Sequence, residues 1–294
     1  MAMETFILGE GGGRTEEEFT EKLTNARALI NYLEEKGINA RRSRIGRYTE
    51  FYDRYLSQKC SEQEVRDHLL FVMREMDEWS WIYRGLTIKE PDGFLELLKI
   101  AIGGPEYAKE ETENTRPRNI QLELRVASYF LQAGYEVSFA GVEDLLVKIG
   151  RYRVFIECKR IGSAKQIRKR AKEAVRQLKR RYAGARGQSY GLAVLDVSRV
   201  IHPLQGIAMG VNETVARDGL RAQLVKLDRD YDTSDIFSKD RRLIAVWHQA
   251  IAPTIHEAEN DIATRFSSLY SIYGREGQKK WDLFQQMKMA FEVV

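Results

Sequence analysis

The sequence has few of the residues that build disulfides or membrane spans. Among its 294 residues there are only two cysteines, Cys60 and Cys158, so neither a disulfide framework nor a cysteine-based zinc site can be built. No run of about 18 apolar residues occurs, which excludes a membrane-spanning helix. Residues 1–14 lack the basic region and long apolar core of a signal peptide. We therefore expect a soluble, cytoplasmic protein with no membrane partner.

Two other common sources of chemistry are also missing. Residues 9–14 are rich in glycine, but no Gly-Lys-Ser/Thr sequence follows and the spacing of a dinucleotide-binding fingerprint is absent, so they predict a flexible leader. The four histidines match neither the spacing of a metal site nor that of a catalytic triad. Charge, by contrast, is plentiful, with 47 Lys and Arg against 43 Asp and Glu and a net charge of +4. The distribution of charge is therefore more informative than its sum.

In the first third of the chain, the sequence pattern predicts helices and no strands. Capping-box sequences begin at Thr15 and Ser61, and apolar residues at helical spacing follow each of them. Arginines within residues 41–47 precede several aromatic residues, a combination that can grip nucleic acid. We favour a solvated loop followed by an aromatic-packed helix at this point. Residues 1–104 are thus predicted to form a mostly helical N-terminal domain.

The pattern changes after residues 105–118, a charged stretch with two prolines that is typical of a linker. Residues 119–294 then alternate between helical and extended patterns, which predicts an α/β domain with a mixed central sheet flanked by helices. The predicted elements are a helix at 119–133, a strand at 135–140, a hairpin around Gly150-Arg151, a helix at 164–182, a strand at 190–197, a helix at 211–227, strands at 243–251 and 265–273, and a helix at 277–291.

The predicted hairpin brings acidic residues together. Two apolar runs flank Gly150-Arg151, and glycine at the first position of a two-residue loop suits a type II′ turn. Counting outward from that turn sets Asp144 opposite Glu157. Opposed residues have Cβ atoms about 5 Å apart, so two carboxylates there would destabilise the sheet unless a cation lay between them. Lys159 lies two residues beyond Glu157 and shares its face. The hairpin therefore predicts a metal site with an amine beside it.

The helix predicted at 164–182 is strongly basic, since nine Lys and Arg residues accompany a single acid, Glu173. This exceeds what solvation of a helix face requires. Each phosphate that such a residue neutralises releases counterions, which drives binding to nucleic acid. We therefore favour a nucleic-acid surface over a merely solvated face. The residues predicted to contact nucleic acid are Lys165, Arg168, Lys169, Lys172, Arg176, Lys179 and Arg180.

The succession of Glu123, Asp144, Glu157-Cys158-Lys159 and a basic helix resembles the PD-(D/E)XK nuclease superfamily, also called the restriction-endonuclease-like fold. The resemblance covers about residues 117–200. It implies a phosphodiesterase that acts on nucleic acid, with DNA favoured over RNA. Hard oxygen donors suit Mg²⁺ or Mn²⁺. The implied metal ligands are Asp144, Glu157, the backbone carbonyl of Cys158 and, as an accessory ligand, Glu123.

The resemblance also implies catalytic roles. Asp144 and Glu157 would hold one or two ions that polarise the phosphate and acidify a bound water. Lys159 would orient or deprotonate that water, or stabilise the developing negative charge, and the sequence leaves these roles open. Gln177, together with Tyr182, is similar to a glutamine and tyrosine that some branches of the superfamily carry on the same helix.

Two alternatives to the nuclease hypothesis remain. The chain could keep the fold and the basic helix as a non-catalytic nucleic-acid-binding or scaffold protein, or it could be an enzyme that is silent until a partner binds. The N-terminal helices are expected to select the substrate, to bind a partner protein or to form a homodimer. Such a two-part build suits restriction or anti-phage defence, by analogy of fold alone.

Overall fold

The structure is a computed structural model that describes residues 16–106, 115–139, 145–185, 188–201, 208–256 and 261–292. Within these ranges the chain is an α/β protein with a mixed sheet flanked by helices, as predicted. The helices are α1 (Glu16–Glu35), α2 (Arg44–Leu56), α3 (Glu62–Ile88), α4 (Phe94–Ala101), α5 (Arg116–Gln132), α6 (Ile167–Gly184), α7 (Ser198–Ile201), α8 (Glu213–Asp230), α9 (Ser234–Phe237) and α10 (Lys279–Glu292). The strands are β1 (Glu136–Phe139), β2 (Leu145–Ile149), β3 (Tyr152–Arg160), β4 (Ser189–Asp196), β5 (Ala208–Gly210), β6 (Leu243–His256) and β7 (Asp261–Ile272).

The described N-terminal part is helical, as its sequence predicts. The capping box at Ser61 is confirmed, because the Ser61 hydroxyl accepts from the backbone N–H of Glu64 at 3.2 Å and a carboxylate oxygen of Glu64 accepts from the backbone N–H of Ser61 at 2.9 Å. Thr15, the other predicted cap, lies outside the described residues. None of the described helices has both the length and the apolar composition that crossing a bilayer requires.

In the described part of the chain the sheet has seven strands, six of them in the order β1-β2-β3-β4-β6-β5, with β7 also paired to β6. The strands β1, β2 and β3 are antiparallel neighbours, whereas β3, β4 and β6 run parallel. Strand β7 pairs with β6 from Ala245 to His256 and so occupies almost all of one edge of it. Since a strand has two edges, β4 and β5 share the other edge of β6 at different heights.

The two faces of β3 pack against different layers because side chains alternate along a strand. Ile156 and Cys158 lie in the same apolar core as Leu124 of α5. Phe155 lies in a second core with Leu178 of α6. The helices α5 and α6 therefore cover opposite faces of the sheet, and β3 is buried between them.

Helix α5 begins at Arg116, whereas its sequence pattern predicts a start at Asn119. Pro117 stands at the first turn of the helix, where its missing N–H leaves no hydrogen bond unmade. Arg118 is buried and donates to Glu75 of α3 at 2.5 Å. The last residues of the predicted linker are thus part of a helix that docks on the N-terminal part, while residues 107–114 lie outside the described ranges.

The N-terminal helices and the sheet share one apolar core. Trp81 of α3 packs edge-on against Tyr129 of α5 and against Phe266 of β7, with ring centroids 6.0 and 6.1 Å apart. These contacts place α3 on the α5 face of the sheet. The division of the chain at residue 104 into two domains stays a prediction.

One glycine in β4 is required by close packing, which makes a test of the fold. A Cβ atom at Gly191 would lie 1.8 Å from the hydroxyl oxygen of Tyr182 in α6. Because Tyr182 is buried against Phe155, it has little room to move. We expect Gly191→Ala to lower the free energy of unfolding by about 3 kcal/mol, measured by urea denaturation.

The matched control is Gly184→Ala at the end of α6, where an added Cβ meets nothing within 4 Å. That change is expected to be neutral or to stabilise the helix by up to about 1 kcal/mol. Equal urea midpoints for the two variants would contradict the packing of Tyr182 on Gly191.

Candidate active site

The β2–β3 hairpin has the predicted register. Ile149 pairs with Tyr152 across the turn, and the pairing continues to Leu145 and Ile156. Gly150 has a φ of +56°, which suits the first position of a type II′ turn. The turn therefore fixes which residues of β3 face each layer, and Glu157 is the first residue of β3 beyond the described pairs with β2.

Glu157 is a buried carboxylate, 3% exposed, that contacts two cations. Its Oε1 atom accepts a hydrogen bond from Nζ of Lys159 at 2.5 Å, and its Oε2 atom lies 2.9 Å from Nη2 of Arg181 in α6. The shared face of Glu157 and Lys159 is as predicted. Asp144 lies outside the described residues, so its position opposite Glu157 stays a prediction.

Arg181 is a site residue that we did not single out from the sequence. Its Nη1 atom donates to the carbonyl oxygen of Ile156 at 3.0 Å while Nη2 approaches Glu157, so the guanidinium spans two neighbouring residues of β3. The sequence does contain a signal for the burial of Arg181. Arg181 follows the buried Leu178 by three residues and Ala174 by seven, so it lies beside the buried stripe of α6. An arginine at that position must find a partner in the interior.

The backbone of β3 directs the carbonyl of Cys158 away from β4. The N–H of Arg153 donates to Gln188 at 3.1 Å and the N–H of Ile161 donates to Asp196 at 2.8 Å, both on the β4 side. The β3–β4 register is unbroken, so odd-numbered residues face β4 and even-numbered residues face the β2 edge. The Cys158 carbonyl therefore points toward the edge on which β2 begins, a direction suited to its predicted role as a metal ligand.

The Cys158 side chain is buried on the α5 face, as expected for a core residue. Burial raises the pKa of its thiol, and the negative charge of Glu123 adds to this. Glu123, half-buried on α5, is thus near β3, but it comes from the layer on the opposite face to α6. That Glu123 and Glu157 bind the same metal ion stays a prediction.

One flank of α6 borders the Glu157–Lys159 contact. Burial raises the pKa of Glu173, but the hydrogen bond from Arg170 and the nearby charge of Lys159 outweigh it, so the pKa is lowered overall. Gln177 is half-buried and lies one helical turn beyond Glu173 and one before Arg181. Gln177 is therefore on the site-facing flank, while its catalytic role stays a prediction. Tyr182 packs instead in the core against Phe155.

The outer face of α6 is cationic. Lys165 lies in a 3-10 turn (Ala164–Gln166) before the helix, and Arg168 pairs with Asp235 at 2.8 Å. Residues 169, 172, 176 and 179 recur every three or four positions and form a ridge about 15 Å long. This ridge consists of Lys169, Lys172, Arg176 and Lys179, which are exposed, as are Lys165, Arg168 and Arg180.

The described oxygen donors suit a hard cation, although they do not complete a site. Glu157 offers a carboxylate and Cys158 a carbonyl directed at the β2 edge, which are ligand types that Mg²⁺ accepts. Across the described ranges, no three acidic, histidine or cysteine side chains cluster as a metal site. The Mg²⁺ or Mn²⁺ site therefore stays a prediction that depends on Asp144.

Comparisons of this chain with protein-family models, with curated proteins and with solved structures found no significant match.

Proposed function

We propose that the protein is a Mg²⁺- or Mn²⁺-dependent nuclease of the restriction-endonuclease-like fold that hydrolyses phosphodiester bonds in DNA. The observation that carries the proposal is the 2.5 Å contact between the buried Glu157 and Lys159 on the inner strand β3. The order of the elements also supports the proposal. Along the chain the order is α5, β1, β2, β3, α6, β4, and the superfamily that the sequence resembles carries its acidic residues and lysine on elements in this order.

The residues on β3 match the needs of phosphodiester hydrolysis. A bound Mg²⁺ supplies an acidified water and withdraws charge from the phosphate. Glu157 and the Cys158 carbonyl would hold the ion, with Asp144 and Glu123 as further donors. Lys159 would orient the attacking water or donate a hydrogen bond to the phosphate as its negative charge increases.

The outer face of α6 supports a nucleic-acid substrate. Its ridge carries Lys169, Lys172, Arg176 and Lys179 over about 15 Å, a length that spans several phosphates of a DNA strand. Arg168 is less available, because it is paired with Asp235. Binding through such a ridge releases counterions, so its affinity falls steeply as salt rises.

The experiment is a cleavage assay on plasmid, linear duplex, single-stranded DNA and RNA, with Mg²⁺ or with EDTA. Wild-type protein is expected to cut DNA only with the metal. Glu157→Gln is expected to lower the rate at least about 100-fold, because the neutral amide holds a metal far less well. The matched control is Glu136→Gln, an exposed acid of β1 paired with Lys148, which should keep the wild-type rate.

Two outcomes would reject the proposal. One is cleavage by Glu157→Gln or Asp144→Asn at the wild-type rate, and the other is the absence of cleavage on every substrate, also in the presence of candidate partner proteins. Cleavage of RNA alone would agree with the proposed active site but would show that the substrate is RNA and not DNA.

A non-catalytic nucleic-acid-binding or scaffold protein is the second candidate, and one observation favours it. Lys159 and Arg181 together compensate both oxygens of Glu157, as in an inert buried ion pair. In that case the protein binds DNA at low salt through α6, and Mg²⁺ changes neither the DNA nor the binding.

A further inference from the structure

Arg181 contacts the buried carboxylate of Glu157 from α6, the helix that covers this face of β3. Its Nη2 atom lies 2.9 Å from Oε2 of Glu157, and its Nη1 atom donates to the carbonyl oxygen of Ile156 at 3.0 Å. The two partners are neighbours in β3. Because a guanidinium group is planar and rigid, two contacts with one strand leave it little freedom to turn. The orientation of the Arg181 head group is therefore set by β3 itself.

The backbone from which Arg181 projects is also fixed by packing. Leu178, almost one turn before it, is fully buried, and the next residue, Tyr182, packs against Phe155 with ring centroids 6.3 Å apart. Tyr182 lies so close to Gly191 of β4 that a Cβ atom there would clash with its hydroxyl group. A side chain that is held at both its backbone and its head group can keep a carboxylate in one orientation.

The two cations that contact Glu157 differ in how freely they can leave it. Nζ of Lys159 donates to Oε1 at 2.5 Å, and the Lys159 side chain is 17% exposed, whereas that of Arg181 is 9% exposed. Lys159 reaches the carboxylate with a compact ammonium group on a flexible four-carbon stem. Arg181 could leave only by giving up the carbonyl oxygen of Ile156 as well. Oε1 is therefore the oxygen that can change its partner, and Oε2 is the one that keeps it.

We propose that Arg181 is a positioning residue of the active site, which fixes Oε2 of Glu157 so that Oε1 is presented to the metal ion and Lys159 is released toward the phosphate. This inference rests on the proposed nuclease function. Lys159 would leave Oε1 because a divalent cation bound there repels its ammonium group. Groups that orient a metal ligand commonly change metal affinity or activity by about 10- to 100-fold when they are removed.

The position and the charge of Arg181 have opposite effects on metal-dependent cleavage. Its positive charge lies beside Glu157 and so weakens the attraction of that carboxylate for a cation. A variant without the charge is therefore expected to bind Mn²⁺ at least as tightly as wild type. The same variant is expected to cleave DNA more slowly, because Glu157 and Lys159 lose their fixed geometry. A residue that merely stabilises the fold would not separate metal affinity from the cleavage rate.

The experiment measures two quantities on the full chain. Mn²⁺ binding without DNA is followed by the electron paramagnetic resonance signal of the free ion, and DNA cleavage is followed as a single-turnover rate at saturating Mn²⁺. Arg181→Met is expected to keep or tighten Mn²⁺ binding and to cleave at least about tenfold more slowly. Arg181→Lys keeps the charge but offers one nitrogen in place of two, so its cleavage rate is expected to stay at least about fivefold below wild type. The matched control is Arg229→Met, which removes an exposed arginine of α8 that contacts Asp230 at 3.4 Å and should keep both wild-type values.

Glu157→Gln separates a failure of this inference from a failure of the proposed function. If wild type cleaves no DNA, or if Glu157→Gln cleaves at the wild-type rate, the proposed function is rejected and the role of Arg181 falls with it. If only wild type and the control cleave as expected, a rate for Arg181→Met or Arg181→Lys within a factor of two of wild type overturns the role of Arg181 alone. Loss of Mn²⁺ binding together with cleavage in Arg181→Met overturns it too. So do urea midpoints of both Arg181 variants far below that of Arg229→Met, since a purely structural ion pair predicts that loss.

Discussion

Lys159→Met is expected to lower the rate of DNA cleavage at least about 100-fold without unfolding the protein. The Nζ atom of Lys159 lies 2.5 Å from Glu157, so any ion or water held by that carboxylate is within reach of the amine. Methionine keeps most of the length and the apolar stem of lysine but cannot orient a water or stabilise a negatively charged phosphate. Loss of a preorganised donor of this kind commonly changes rates by about 10² to 10³.

The measurement is a single-turnover cleavage rate with Mg²⁺ at saturating enzyme, together with a DNA-binding isotherm. Binding should change little, because the ridge on α6 is intact, while the rate falls. The control is Lys148→Met in β2, an exposed lysine paired with Glu136 at 3.0 Å. A cleavage rate for Lys159→Met within a factor of two of that control would show that Lys159 takes no part in cleavage.

Arg125→Met is expected to lower the free energy of unfolding by about 3–5 kcal/mol. Arg125 is fully buried and lies 3.2 Å from Glu78, 3.3 Å from Asp196 and 2.9 Å from Gln249, so it links α3, α5, β4 and β6. Methionine has a similar volume but leaves two carboxylates in the interior with one cation, Arg160, between them. Removing one partner of a buried ion pair destabilises a protein far more than replacing both partners by apolar residues.

Chemical denaturation with urea, followed by circular dichroism, measures this loss. The control is Arg27→Met, which breaks an exposed ion pair with Asp53 at 2.8 Å and should change stability by no more than about 1 kcal/mol. Similar losses for the two variants would mean that the interior contacts of Arg125 contribute no more than a surface pair.

Local patterns predicted the hairpin and its surroundings well. The register of β2 on β3 followed from Gly150 and the apolar alternation, because a two-residue turn allows few alternatives. In α6, the apolar residues that recur at helical spacing from Ile167 to Tyr182 are likewise the ones that are buried. Both features depend on residues close together in the chain, where the periods of helix and strand decide which side is buried.

The buried charges could not be predicted in the same way. Arg74, Glu75 and Glu78 lie between apolar residues of α3 and have the composition of a solvated helix face. Their burial depends on partners far along the chain, such as Arg118 and Arg160, whose positions are set only once the sheet has formed. Arg181 at the candidate site is a similar case. Long-range ion pairs have no local signature, so the sequence did not mark these residues as buried.

Helix α6 touches the candidate site on one side and presents its ridge on the other. Arg181 faces Glu157, whereas Lys172 and Arg176 point to solvent on the far side of the helix. A helix with its side chains is about 10–12 Å across. A phosphate held on the ridge is thus displaced from the carboxylate by about three nucleotide steps of duplex DNA. In a nuclease built this way, α6 would bind the strand at a fixed distance from the bond that is cut.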